Sequence, residues 1–221
     1  MIASPHLDRL PAAERGITIG DFLVPIRIGD RISARARHIV LVIAGALFIA
    51  LTANLSLPVP GSPVPVTGQT FGVLLVGGAL GFRRGGLAAL LYVVMGFFLP
   101  VYADHKSGMA VIASTQEGHL VLGATGGYLI GFVLAAAVVG RLAELGWDRR
   151  FFGALGAMFL GNLVIYAIGV PWLAAATGQD LAWAIDKGLT PFLVGDAIKL
   201  VLAAGLFPAA WWVVGRGGEE R

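Results

Sequence analysis

Five stretches of this sequence run for 18 or more residues without Asp, Glu, Lys or Arg, and a sixth is interrupted only by one close pair of charges. They cover roughly 38–57, 65–82, 85–103, 120–140, 151–177 and 189–215. About 20 residues rising 1.5 Å each cross a hydrocarbon core of about 30 Å, so every stretch is long enough to span a membrane as a helix. The stretches are continuously apolar and rich in Leu, Ala and Gly, without the alternation of a barrel strand. Helices are then the way to satisfy each backbone polar group in lipid. The expectation is an all-α polytopic membrane protein of six transmembrane helices, with both termini on one side.

Composition excludes the alternatives. Of 221 residues, 57% are hydrophobic and only 13% charged, against about 25% charged in soluble domains. A soluble enzyme or a disordered chain of this make-up would have too little polar surface. The net charge of +3 is modest, and the cations sit at the ends of apolar stretches rather than in one patch, so nucleic acid is not a partner. Without cysteine there is no disulfide, thiol nucleophile or thiolate metal site.

Lys and Arg orient the chain. Thirteen lie in the N-terminal segment, the second–third and fourth–fifth connections and the tail, among them Arg83, Arg84, Arg141, Arg149 and Arg150. The opposite connections carry only Lys106 and Lys187. The positive-inside rule makes the basic side cytoplasmic. The reading is therefore a multi-pass protein of the cytoplasmic membrane with both termini cytoplasmic. Its parts are an N-terminal extension (1–37), a membrane domain (38–215) and a short tail (216–221). The extension lacks the pattern of a signal peptide. Its stretch 17–28 is apolar enough to lie on the membrane surface, or else it frays.

Small residues recur every four positions: Ala46 and Ala50 in the first span, Gly77, Gly81 and Gly85 from the second, Gly123, Gly127 and Gly131 in the fourth. Such spacing gathers small residues on one helix face and lets another helix approach. Packing within the bundle and docking onto another membrane subunit both fit.

Asp196 and Lys199 are the pair inside the sixth stretch. Three residues apart, they share a helix face, roughly 10–15 Å below Leu189 at 1.5 Å per residue. Each alone costs about 2.5–3.5 kcal/mol at a span's centre, so both need a partner or a polar cavity. They could pair only with each other, holding the last helix to the bundle. They could equally meet a polar ligand, the carboxylate accepting its N–H groups and the ammonium donating to its carbonyl.

The first outer connection, Pro58 to Gln69, has four prolines in eight positions, which makes it stiff and non-helical. It brings Thr67 and Gln69 to the side of Asp196, as a lid or as a plain connector. The third–fourth connection, about Asp104 to His119, reads as a solvated loop whose His and acidic residues have no metal-ligand spacing. Asp104 stands apart because it ends an apolar helix on the pocket side. Tyr128, near the outer end of helix four, is either an interfacial aromatic or a pocket wall. Asn162 and Tyr166 lie one turn apart in helix five and could face the same cavity or bond between helices. The chain has no phosphate-binding GxxxxGK[ST] loop, no HExxH and no GxSxG elbow. It is not read as an enzyme, and no cofactor is expected.

Three segments, Pro63-Val-Pro-Val-Thr-Gly-Gln69, Gly123-Ala-Thr-Gly-Gly-Tyr-Leu-Ile-Gly-Phe132 and Pro191-Phe-Leu-Val-Gly-Asp-Ala-Ile-Lys199, together resemble the BioY family. These are the biotin-specific substrate-binding (S) components of energy-coupling-factor (ECF) transporters. The resemblance covers about residues 40 to 215 and implies an S-component-like six-helix bundle. It implies capture of biotin from outside, with separate ATPase subunits and a transmembrane coupling subunit as partners. It further implies substrate contacts from Asp196, Lys199, Asp104, Gln69, Thr67 and Tyr128, and a docking face for the coupling subunit at Ala46 and Ala50. The ureido ring of biotin, with two N–H donors and one carbonyl, suits Asp196 and Lys199. Tyr102-Ala103-Asp104 departs from the family's usual Phe-Ala-Asn in carrying an acid. A stand-alone carrier driven by an ion gradient, with Asp196 as coupling site, and a purely structural membrane subunit are the competing readings.

Overall fold

The structure, a computed structural model, describes residues 17–23 and 33–219. Its helices are α1 (Gly20–Leu23), α2 (Ala34–Ala53), α3 (Gln69–Phe98), α4 (Gly126–Glu144), α5 (Phe151–Thr177), α6 (Leu181–Gly188) and α7 (Leu193–Glu219). Two small antiparallel ladders join them at one end of the bundle, β1 (Ser56–Leu57) with β2 (Val66–Thr67), and β3 (Ala113–Gln116) with β4 (His119–Leu122).

The stops are chemical. Ser33 caps α2 by accepting from the Ala36 N–H at 3.3 Å. Pro100 follows the extended Leu99 that closes α3. Left-handed glycines, Gly146 (φ 88°) and Gly178 (φ 65°), follow α4 and α5. Asp180 opens α6 by accepting from the Trp183 N–H at 2.7 Å.

Among the described residues five helices are long and apolar enough to cross a membrane, and one of them holds two of the expected spans. In α3, Gly81 adopts φ 83° and ψ 179°, which no helix tolerates. A Cβ placed on Gly85 would lie 2.8 Å from the Gly77 Cα, whereas residues eight apart in a straight helix are about 12 Å apart. The chain therefore doubles back at Gly81, and its two legs are the second and third of six spans. This corrects the reading of Gly77, Gly81 and Gly85 as one stripe. Gly81 is the turn, and Gly77 and Gly85 face each other across it. Backbone of α4 fills the notch, since a Cβ on Gly77 would lie 2.6 Å from the Ala136 carbonyl oxygen.

The other small residues also serve internal packing. A Cβ on Gly127 would meet the Trp172 side chain at 2.2 Å, and one on Gly131 the Ile165 Cα at 3.0 Å. Gly123 precedes α4, against the Val111 carbonyl. Ala46 and Ala50, expected on a docking face, are 0% and 7% exposed inside the bundle. The two alanines do share one face of the helix, and that face packs inward. The outward face of α2 carries Ile43, Leu47 and Leu51.

On the side of the Gly81 turn, residues 17–23 neither lie free nor fray. Arg84 donates to Asp21 at 2.7 and 3.1 Å and to the Thr18 hydroxyl at 2.9 Å, and Thr18 is buried. Burial alone would raise the Asp21 carboxyl, but the bonds from Arg84 and from the Thr18 N–H outweigh it and hold the group below its ordinary range. Residues 24–28 of the expected surface segment lie outside the described residues. At the opposite end, the connection read as solvated loop forms the β3–β4 hairpin, turning on Glu117 (φ 50°) and Gly118 (φ 81°). Two positive φ values are what a type I′ hairpin turn requires.

Candidate substrate-binding site

Asp196 and Lys199 lie in the first two turns of α7, Asp196 almost wholly buried at 3% and the Lys199 side chain at 19% exposure. The Lys199 Nζ sits 3.0 Å from Asp196 Oδ1, 2.8 Å from the Thr67 carbonyl oxygen and 3.1 Å from Thr70 Oγ1. An ammonium has three protons, and all three have acceptors. The Thr70 hydroxyl in turn donates to Asp196 Oδ1 at 3.4 Å, and the Tyr166 hydroxyl of α5 donates to Oδ2. Four elements thus converge on one carboxylate–ammonium pair: α7, the start of α3, the extended segment before it, and α5. The pair is more than a contact between two charges on one helix, because it ties α7 to the first leg of α3 and to α5.

The proline-rich connection supplies the roof. Its Ser62 hydroxyl donates to the Lys187 carbonyl oxygen at 2.8 Å, hooking the connection to α6. Val64 is buried, and Val64, Pro65 and Thr67 face a cavity in front of the pair. The Gln69 side chain leaves the pair and donates to the Tyr92 hydroxyl. Thr67 presents its carbonyl to Lys199 and its hydroxyl to the Gln69 N–H at 3.2 Å.

The rest of the wall is aromatic. Tyr128 donates to the Gly188 carbonyl oxygen at 2.8 Å and stands edge-on to Tyr166, with ring centres 6.3 Å apart. It fits only because glycines face it: a Cβ on Gly188 would lie 2.4 Å from its hydroxyl and one on Gly169 2.5 Å from its ring. Phe192, Phe132 and Tyr102 complete the wall, with the Lys106 side chain at its edge. The cavity measures about 60 Å³, against ~300–1,000 Å³ for sites that enclose a drug-sized molecule. As it stands the cavity is too small for a vitamin-sized molecule, and its outer boundary is the roof and the third–fourth connection. One end of the cavity carries a charged pair and the remainder is apolar and aromatic, which suits an elongated ligand with a polar head.

The sequence-derived residues fare unequally. Asp196, Lys199 and Thr67 come together, and Gln69 and Tyr128 line the same cavity. Asp104 does not join them. Its left-handed backbone (φ 57°) turns the half-exposed carboxylate to the Ser56 hydroxyl at 2.7 Å and to Lys106 at 3.5 Å, while Ala103 and Lys106 face the cavity instead. Tyr166 faces the cavity, one of the two placements the sequence allowed it, and with Thr70 it holds Asp196; Thr70, Phe132 and Phe192 were not among the sequence candidates. A Tyr inside an apolar span, one face-turn from no other polar residue but Asn162, carries no signal of which helix it will meet. Asn162 itself is buried behind the wall, and its Oδ1 has no partner among the described residues.

A family model described as the BioY family matches residues 27–216. The chain belongs to the BioY family. A BioY protein of Thermotoga maritima described as a biotin transporter is 39% identical over 165 residues, 74% of this chain and 90% of that protein. Another biotin transporter BioY, from Rhizobium etli, is 36% identical over 173 residues, 72% of this chain and 86% of that one. The fold agrees with that of a crystal structure described as the S-component for biotin from an ECF-type ABC transporter. The TM-score is 0.70 at 24% identity, covering 80% of this chain and 93% of that one. In this BioY chain the three motif segments fall at the roof, at the start of α4 and at the start of α7, around one cavity.

Proposed function

We propose that this protein captures biotin at the outer face of the cytoplasmic membrane as the substrate-binding subunit of an ECF-type transporter. The observation that carries the reading is a family match across most of the chain whose three motif segments surround one cavity with a charged pair at its head. Uptake then depends on a transmembrane coupling subunit and ATPase subunits, since this chain has no phosphate-binding loop of its own. The 13-to-2 division of cations supports an orientation with both termini and the Gly81 turn in the cytoplasm and the cavity at the outer side.

At the site, Asp196 accepts from the ureido N–H groups and Lys199 donates to the ureido carbonyl, while the apolar ring and chain lie against Tyr128, Phe132 and Phe192. Within the closed site Lys199 has no proton to spare and Asp196 has three donors already. Biotin therefore exchanges with internal bonds rather than adding to them. Thr67 and Thr70 are the acceptors that Lys199 gives up, and Tyr166 keeps Asp196 oriented throughout. Exchanging one set of bonds for another holds the unliganded pair together without a buried orphan charge.

Titration of the purified protein with biotin, without nucleotide, tests this reading. Saturable 1:1 binding is expected. A flat response to biotin together with saturable binding of another vitamin, such as riboflavin, would remove biotin as the ligand and leave the capture role standing.

A further inference from the structure

A groove of about 1310 Å³ lies on the opposite side of the molecule from the cavity, between the start of α2 and the second leg of α3. Its chemistry changes along its length. At the Gly81 turn it is edged by Arg83, Arg84, Arg141 and His38, with Asp21 and Glu144 among them. The acids are already matched: Asp21 holds Arg84 at 2.7 Å, and Glu144 takes Arg141 at 3.1 Å and the Phe82 N–H at 2.9 Å. Arg83 is exposed and makes no hydrogen bond or ion pair among the described residues. Arg37 also approaches Asp21 at 3.9 Å, so both carboxylates are engaged by cations. Of the three arginines that line the groove, Arg83 alone has no carboxylate partner among the described residues.

Beyond that rim the groove is apolar. Leu87, Leu90 and Val94 follow Arg83 at intervals of four, three and four residues, the spacing of one helix face, and all three are exposed. Ile39 and Ile43 of α2 form the facing wall. From Arg83 to Val94 is eleven residues, about 16 Å at 1.5 Å each, or half of a ~30 Å hydrocarbon core. A cationic head and an apolar trough one leaflet deep match an acyl chain with an anionic headgroup. Basic pockets between spans on the cytoplasmic side suit such lipids.

We infer that this groove holds an anionic diacyl phospholipid of the cytoplasmic leaflet, its phosphate on Arg83 and an acyl chain between Leu87, Leu90, Val94 and the α2 isoleucines. The inference rests on the orientation given under Proposed function and is independent of the vitamin bound. A lipid fits better than a partner helix because charge and apolarity are divided along the membrane normal at leaflet depth, as they are in a phospholipid.

Native mass spectrometry of the full chain, delipidated and incubated with phosphatidylglycerol or with phosphatidylcholine of the same acyl chains, tests it. The wild type should retain phosphatidylglycerol in preference. Arg83→Gln should lower that retention about fivefold, the factor one Arg near an anionic surface contributes, without changing biotin binding. Arg83→Lys, which keeps the charge, should preserve the preference, and Arg150→Gln, a cation on the same side outside the groove, should not alter it. Equal retention of the two lipids, or an unchanged preference in Arg83→Gln, overturns the inference. So does loss of assembly with a coupling subunit in Arg83→Gln with lipid retention intact, which would make the groove a protein-docking surface. A chain that binds biotin but shows no lipid preference sinks this inference alone.

Discussion

Removing the Asp196 carboxylate separates its structural part from its part in binding. In Asp196→Leu, the Lys199 ammonium keeps the Thr67 carbonyl and the Thr70 hydroxyl but loses its counter-ion, and the Tyr166 hydroxyl loses its acceptor. Breaking one side of a buried pair costs about 3–5 kcal/mol. The two surviving acceptors and the partial exposure of Lys199 put this case at the lower end, about 3 kcal/mol. The stranded Tyr166 hydroxyl adds about 1 kcal/mol. A loss of about 4 kcal/mol should lower the melting temperature in detergent by on the order of 10 °C. The double change Asp196→Leu with Lys199→Met removes the stranded charge and should recover most of that loss, while biotin binding remains abolished. Asp196→Asn keeps the shape and one acceptor, forfeiting roughly 1.5–3 kcal/mol of charge-assisted bonding, or about 10- to 150-fold in affinity. Thermal melting and biotin titration on the three variants form the assay. An Asp196→Leu protein that melts with the wild type would refute the buried network, and a double variant with wild-type affinity would refute the site.

Three further outcomes follow from the same geometry. Asp148, buried in the α4–α5 connection, accepts from the Trp211 indole N–H at 2.7 Å; burial, against the Trp211 bond and the nearby Arg149, pushes its carboxyl up from 3.8 to about 6. The folded state therefore holds this proton more tightly than the unfolded one, so stability from this group falls as pH rises from about 4 to about 6 and is level above. Asp148→Asn should flatten that limb and raise stability at pH 7.5 by up to about 3 kcal/mol, read as melting temperature against pH. Gly81→Ala forces a Cβ into a conformation open to glycine, 2.8 Å from Glu144 Oε1; a loss of about 1–3 kcal/mol is expected, and an unchanged melting temperature would contradict the turn. Ser62→Ala removes the hook between the roof and α6 and should speed biotin release in stopped-flow measurements more than it alters melting.

The spans were legible because the cost of a charge in lipid is large enough to empty whole stretches of Asp, Glu, Lys and Arg. Asp196 and Lys199 were legible for the same reason, as exceptions that need partners. What charge patterning cannot carry is the pairing of faces. The four-residue spacing of Ala46 and Ala50 identifies a face, and the same spacing serves an inward or an outward one; here both alanines are inside. Gly77, Gly81 and Gly85 kept that spacing through a reversal of the chain, since glycine serves a tight turn as readily as a close helix contact. Asp104 lies away from the pair for a local reason, a left-handed backbone that turns its side chain to Ser56. Tyr166 and Thr70 acquire their roles only from Asp196, on an element distant in sequence.

A crystal structure of the protein with biotin bound tests the central claim most directly. The account predicts the ureido ring at the head of the cavity, its N–H groups within hydrogen-bond distance of the Asp196 carboxylate and its carbonyl oxygen on the Lys199 ammonium. Thr67 and Thr70 should have released that ammonium, and the Pro58–Gln69 connection should have moved outward. Biotin bound with the internal bonds of Asp196 and Lys199 intact, or seated away from this cavity, would contradict it.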